Sequence, residues 1–406
     1  MKKRLLFGII IINSALFFGQ SVSKTMQLLP DTGQTTSYTA TFGEDHDYLI
    51  NTPNYTNNGD GTITDKVTGL MWQQADGGEM THDNAIIYCD NLILGGHSDW
   101  RLPTPIEAYS ILIHENGNPA INTTYFTPTG AEYWWTSVYE NNSNTKVWVT
   151  NAGGGIGNHL KTETISAGGK KTFHARAVRN SNTPTTLPNH FLDNGDGTIK
   201  DNLTQLIWQK IPNTLTVTWE QALAYAEGLS LGNATDWRLP NIKELQSLNN
   251  ELAANPSIFA PYFDNLGSKK YWSSTTLKSN NSNTSSAWYW YTQYGITTYD
   301  VKTNSNYVIC VRGNPTLSVN QKTLHSSINI YPNPASNYVS IFFPNDYLYA
   351  KIELVDTMGK VIVNKQIKIN ANEYQLDTDG ICDGIYYLSV LNGTKKEMIK
   401  ILIQKK

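Results

Sequence analysis

The chain is 406 residues long, which allows two to three domains, and has a net charge of −3 with 16% charged residues. A surface this weakly charged excludes the basic footprint that nucleic-acid binding needs.

Residues 1 to about 23 start with Lys2-Lys3-Arg4 and continue with an apolar run from Leu5 to Phe18. That run is short for a bilayer span and reads as a secretory signal peptide, with Ser21-Val22-Ser23 as the small-residue site. No later stretch is apolar enough to span, so the mature chain is expected outside the cytoplasm without a transmembrane segment. Residues 24–50 form a polar, Thr-rich lead-in.

The next two segments repeat each other. Asn57-Asn58-Gly59-Asp60-Gly61-Thr62-Ile63 and Leu70-Met71-Trp72-Gln73 return as Asp193-Asn194-Gly195-Asp196-Gly197-Thr198-Ile199 and Leu206-Ile207-Trp208-Gln209. Asp99-Trp100-Arg101-Leu102-Pro103 returns as Asp236-Trp237-Arg238-Leu239-Pro240. The offset is 136 at the tryptophans Trp72 and Trp208 and 137 at the arginines. A period this long marks a duplicated domain, because solenoid repeats are shorter. Copy one is read as 51–180 and copy two as 189–313, with a Ser/Thr/Pro linker at 181–188 and a second linker at about 314–327.

Each copy is expected to open on a β-hairpin whose glycines supply the positive φ of the turn. Two helices follow. Thr218-Trp219-Glu220-Gln221 and Thr104-Pro105-Ile106-Glu107 are capping boxes, and Asn241-Ile242-Lys243-Glu244 keeps the cap and the glutamate. Aromatic strands come next: Tyr133-Trp134-Trp135 and Tyr271-Trp272, then Val147-Trp148-Val149 and Trp288-Tyr289-Trp290-Tyr291. Short strands ending in Arg179 and Arg312 close the copies. The expected class for each is α+β. Residues 328–406 read as short alternating strands split by turns, an all-β Ig-like sandwich.

These motifs, taken in order, resemble the Lcl C-terminal domain family over both copies. The resemblance implies an extracellular, C-type lectin-like domain and a role in binding extracellular glycans. It also implies a helix–strand cysteine pair. Here Cys89 faces Ala226 in the alignment of the copies and Cys310 faces Ala177, so each copy keeps half of such a pair. A Cys89–Cys310 bridge would need the copies to pack face to face. Cys382, in the third region, has no evident partner. The last region, from Ile328-Asn329-Ile330-Tyr331-Pro332-Asn333-Pro334 through Gly384-Ile385-Tyr386-Tyr387 to the basic end, resembles the C-terminal sorting domain of the type IX secretion system. That resemblance implies an export address and a partner in the secretion machinery.

The aromatic strand of copy two carries the main binding expectation. Alternation puts aromatic rings on both faces, one for the core and one as a platform for sugar rings. Tyr289, Tyr291, Trp290, Tyr294 and Tyr299 are the glycan-binding candidates, while Trp148 and Trp288 are assigned to the core. Arg238 is a further candidate for an anionic ligand group. Its alternative, shared with Arg101, is to tie a loop to a helix by pairing with Asp99 or Glu107, and with Asp236 or Glu244. Asp60 with Asp65, and Asp196 with Asp201, are calcium candidates, although they lack the full loop spacing and distal glutamate of a calcium loop. A basic stretch in copy one comprises His159, Lys161, Lys170, Lys171, His174, Arg176 and Arg179, interrupted by Glu163. No nucleophile–base–acid set repeats between the copies. The expectation is a non-catalytic adhesin. A structural or protein-binding surface module and a polysaccharide-active enzyme are the alternatives.

Overall fold

The computed structural model describes residues 21–163, 173–260, 262–263, 265–278, 284–313, 328–343, 349–356, 360–369, 372–392 and 395–405. The expected signal peptide lies almost entirely outside the described residues.

Strands predominate, with four short α-helices among the described residues. The lead-in contributes β1 (Val22–Lys24). Copy one contains β2 (Tyr55–Asn57), β3 (Thr62–Asp65), β4 (Leu70–Gln73), α1 (His82–Asp90), α2 (Pro105–Ser110), β5 (Tyr133–Tyr139), β6 (Lys146–Asn151), β7 (Ile156–Leu160), β8 (Phe173–His174) and β9 (Val178–Asn180). The linker contains β10 (Thr185–Leu187), which pairs with β1. Copy two follows the same plan with β11 (Phe191–Asp193), β12 (Thr198–Asp201), β13 (Leu206–Gln209), α3 (Trp219–Gly228), α4 (Ile242–Ser247), β14 (Lys270–Thr276), β15 (Ser286–Tyr291), β16 (Ile296–Val301) and β17 (Val311–Gly313).

The local signals explain the elements. Gly59 and Gly61 sit at φ 79° and 85° in the first hairpin turn, and Gly195 and Gly197 repeat this at 76° and 88°. Thr104 accepts from Glu107 N at the start of α2, and the Glu107 carboxylate accepts from Thr104 N at 2.9 Å. Asn241 and Glu244 make the same reciprocal pair at α4. In each copy the closing strand returns to the opening hairpin, giving matching four-stranded sheets, β2-β3-β4-β9 and β11-β12-β13-β17.

The copies are not separate beads. Their second sheets join into one seven-stranded sheet, β14-β15-β16-β7-β6-β5-β8, across the pairing of Thr297 with Ile156. Thr297 Oγ1 also accepts from Ile156 N at 3.2 Å and from the Tyr109 hydroxyl at 3.2 Å. A single apolar core runs through this junction. It joins Tyr109, Leu112, Trp148 and Ile156 of copy one to Leu245, Leu248, Trp288 and Trp290 of copy two. Gly295 (φ 69°) lies over it, and a Cβ there would come within 2.4 Å of Asn249 Oδ1 and 2.9 Å of the Trp148 ring.

The lead-in is part of this structure rather than a tether. Glu44 and Asp45 are buried, and their carboxylates accept from Thr276 and Thr275 of β14, the Thr275 bond being 2.6 Å. Gln34 Oε1 accepts from Thr276 N at 2.9 Å. On copy one, Glu115 accepts from Thr35 N, Thr36 and Tyr38. The strap of residues 29–50 therefore holds both copies.

The last region has two sheets around its own core. β18 (Asn329–Tyr331), β19 (Tyr338–Phe342) and β22 (Glu373–Asp377) form one. β20 (Tyr349–Asp356), β21 (Val361–Lys368), β23 (Gly384–Asn392) and β24 (Lys395–Ile403) form the other, in the order β21-β20-β23-β24. Val339 and Ile341 face Ile352, Leu354, Leu388 and Ile401 between them.

No helix among the described residues is long and apolar enough to cross a membrane. Cys89 and Cys310 are both buried and unbridged, each inside the core of its own copy, so the face-to-face bridge does not form. Cys382 is exposed and also free.

Candidate binding site

The aromatic strand β15 is packed on both sides. Strand pleating sends Trp288 and Trp290 to one face and Tyr289 and Tyr291 to the other. Trp288 and Trp290 enter the core shared by the two copies. Tyr289 enters the core under α3, beside Trp219, Ala222 and Trp272. Trp290 is fully buried and Tyr289 is 6% exposed, so neither ring is open to a sugar. The expected free face fails because α3 of the same copy covers Tyr289, while Trp290 on the other face enters the core shared with copy one.

The exposed aromatics lie at the edges of this strand pair. Tyr294 is 53% exposed at the tip of the β15–β16 turn, and its ring meets that of half-buried Tyr291 edge-on at 5.2 Å. The turn is closed by bonds from Tyr294 N and Gly295 N to Tyr291 O, at 3.2 and 2.8 Å. The Tyr291 hydroxyl donates to Gln293 Oε1, which fixes the ring. Tyr291, Gln293 and Tyr294 thus form a small platform with an amide beside it. Tyr299 is 54% exposed but pairs across the strands with Trp288, which places it on the opposite face from Tyr291. It does not extend the same platform.

Arg238 is buried. Its guanidinium makes a two-point pair with Glu244 at 2.7 and 2.5 Å and lies 5.5 Å from the Tyr48 ring centroid. Although burial alone would lower its pKa, the Glu244 carboxylate overrides this and holds the group charged. Arg101 pairs with Glu107 in the same way at 2.7 and 2.9 Å. Asp99 and Asp236 are taken instead by Arg179 and Arg312. Arg238 offers no free donor fork to a ligand from this position.

The calcium candidates are turn formers. Asp60 Oδ1 accepts from Thr62 N and Thr62 Oγ1 at 3.1 and 2.6 Å, and Asp196 does the same with Thr198. Asp65 accepts from Val67 N and Thr68 N, and Asp201 from Leu203 N and Thr204 N. Asp60 and Asp196 lie in the turn before the strand, while Asp65 and Asp201 lie at its far end, so the acids of each pair do not share one loop. Among the described residues no three His, Cys, Asp or Glu side chains converge as a metal site would require.

Every described member of the basic stretch has an acidic partner. His159 meets Glu163 at 3.1 Å, Lys161 meets Asp83 at 3.1 Å, and Arg179 meets Asp99. Lys170 and Lys171 lie outside the described residues. His174 and Arg176 converge on Asp76, at 2.8 and 3.4 Å, together with Thr129 and the Trp134 indole. Burial alone would raise the Asp76 pKa, but these partners hold it down to about 2. The matching positions in copy two are Tyr307 and Ile309, so this cluster belongs to copy one alone. Sequence reading missed it because Asp76 lies 98 and 100 residues from His174 and Arg176. A cleft of about 460 Å³ opens nearby, lined by residues that include Glu79, Thr81, Asn84, Lys161, Glu163 and Phe173.

Two tandem β-rich repeats are strapped together and followed by a two-sheet unit with its own core, the layout of a multidomain repeat protein. Residues 61–179 and 197–312, together more than half of the chain, match the Lcl C-terminal domain, and the chain belongs to that family. Residues 329–404 match the secretion system C-terminal sorting domain. The sorting domain is of the type IX kind and directs the chain through that machinery to the outside of the cell or its outer surface. No curated protein matches the chain. Neither matched family is an enzyme family.

Proposed function

We propose that this protein is a non-catalytic surface adhesin that binds extracellular glycan through lectin-like repeats, with an Ig-like sorting unit as its export address. The observation that carries the reading is the Tyr291–Tyr294 pair. It is an exposed aromatic platform beside the Gln293 amide, at a turn whose Gly295 packs against Trp148 of copy one. Sugar rings stack their C–H faces on such rings and bond their hydroxyls to a nearby amide. The internal pairing of the basic residues favours a neutral or weakly charged glycan over a polysulfated one.

A glycan array probed with the full chain, with and without calcium, tests this. The informative variant is Tyr294→Ala, because Tyr294 is exposed and its loss leaves the core intact. Specific binding that disappears in Tyr294→Ala supports a lectin with its site at this turn. A silent array from folded protein rejects the glycan reading. The protein-binding reading rests on exposed Ile211 and Leu215, 58% and 70% accessible beside α3.

A further inference from the structure

Tyr387 stands on the wrong side of its sheet to be buried. In β23, Tyr386, Leu388 and Val390 point into the core of the sorting unit. Tyr387 alternates with them and faces outward, yet it is only 6% exposed. Lys400 on β24 pairs with Tyr387 across the strands, so the two side chains share this outer face.

What covers them is copy two together with the strap. Lys400 Nζ donates to Glu227 O at 2.5 Å, in the last turn of α3, and to Thr235 O at 2.8 Å, in the loop that leads to Trp237. A cation there also meets the negative end of the helix dipole. The Tyr387 hydroxyl donates to Glu227 Oε2 at 3.5 Å, and its ring lies 5.3 Å from Phe42. The Tyr48 hydroxyl donates to the other Glu227 oxygen, and Phe42 packs on Tyr48 at 5.6 Å. Gly43 lies directly on Glu227, where a Cβ would be 3.2 Å from its carboxylate. The seat therefore has an acidic centre, an aromatic wall and a helix end.

The repeat supplies an internal comparison. Asp90 occupies the place of Glu227 at the end of α1, and it is exposed. Glu227 is 3% exposed. The same helix end is thus bare in copy one and covered in copy two.

We propose that Phe42, Tyr48 and Glu227 form a docking seat for the chain's own sorting domain, which is held there by Lys400 and Tyr387 independently of the connecting segment. Cutting that segment would then not by itself release the address domain. Release would uncover an aromatic–acidic surface formed by the strap and copy two together. The inference does not depend on what the repeats bind.

The test places a site-specific protease sequence between residues 314 and 327 of the full chain, cuts it, and runs size exclusion at about 1 μM, where an affinity in the micromolar range or tighter keeps partners together. The expected result is co-elution of the two pieces from the wild type. Lys400→Glu should release the C-terminal piece, with an affinity at least about tenfold weaker, as expected for losing two charge-assisted bonds. Tyr387→Ser serves as a second variant that leaves the sorting core untouched. Separate elution of the wild-type pieces would overturn the proposal, as would co-elution that survives both variants.

Discussion

Lys243 of copy two donates to Ser110 O of copy one at 2.7 Å, and also to Asp31 O of the strap at 2.7 Å. One fully buried ammonium therefore joins three segments of the chain. Copy one has Ile106 at the equivalent helical position, which follows from the aligned caps of α2 and α4. Burial pulls the Lys243 pKa down to about 8, while Asp31, Asp65 and Asp45 work against that shift.

Removing this lysine should loosen the junction. Lys243→Ala leaves two buried carbonyls without a donor and removes positive charge beside buried acids, at a cost of about 2–4 kcal/mol. Lys243→Met keeps the stem and should cost less than the alanine variant. Urea unfolding of both variants checks the order. Equal midpoints for wild type and Lys243→Ala would show that the junction does not need this contact.

Stability should also depend on His114 in acid. Burial, assisted by the charge of Lys243, lowers its pKa to about 3, and the bond to Gly154 O opposes the shift. The folded value lies below the unfolded value of about 6.5, so the unfolded chain takes up the proton first. The His114 contribution is therefore complete above about pH 6.5 and is lost as pH falls towards 3. Melting temperatures of wild type and His114→Gln, compared across this range, should converge as the pH drops. A constant difference would rule out titration of His114 as the cause.

The half-pairs of cysteine offer a constructive test. Cys310 shares a core with Ala226, and Cys89 shares one with Ala177. Burial keeps both thiols protonated, with Cys89 pushed up to about 12. Ala226→Cys should form a helix–strand disulfide with Cys310 under oxidising conditions and stabilise copy two by about 2–4 kcal/mol. Ala177→Cys should do the same with Cys89. Mass spectrometry after alkylation reads the result directly. Four free thiols in each oxidised variant, the three native ones and the new one, would show that the paired geometry has been lost along with the partner cysteines.

Much of this was legible because it is local. The repeated hairpin turns, the capping boxes and the Arg–Glu links six residues apart all lie within short windows. The alternation of residues 288–291 correctly implied rings on both faces of β15. It could not show that α3 would cover Tyr289 or that Trp290 would enter a core shared with the other copy. The strap was equally hidden. Asp31, Glu44 and Asp45 sit in a polar, Thr-rich stretch that looks like a tether, and only their distant partners, Lys243, Thr276 and Thr275 respectively, make it structural. Lys243 was an available clue, since a charge stands where copy one has Ile106.

The continuous sheet across Thr297 and Ile156 has a consequence for how such a protein could grip a surface. Flexibly linked modules search for sites independently, and their gain in binding depends on tether length. Here the two repeats share one sheet and one core, which set the distance and angle between their outer surfaces. A ligand contacting both must match that fixed gauge, and one with the wrong spacing engages a single repeat. Selectivity for the periodicity of a polymer can therefore reside in the joint between the copies, apart from any individual pocket.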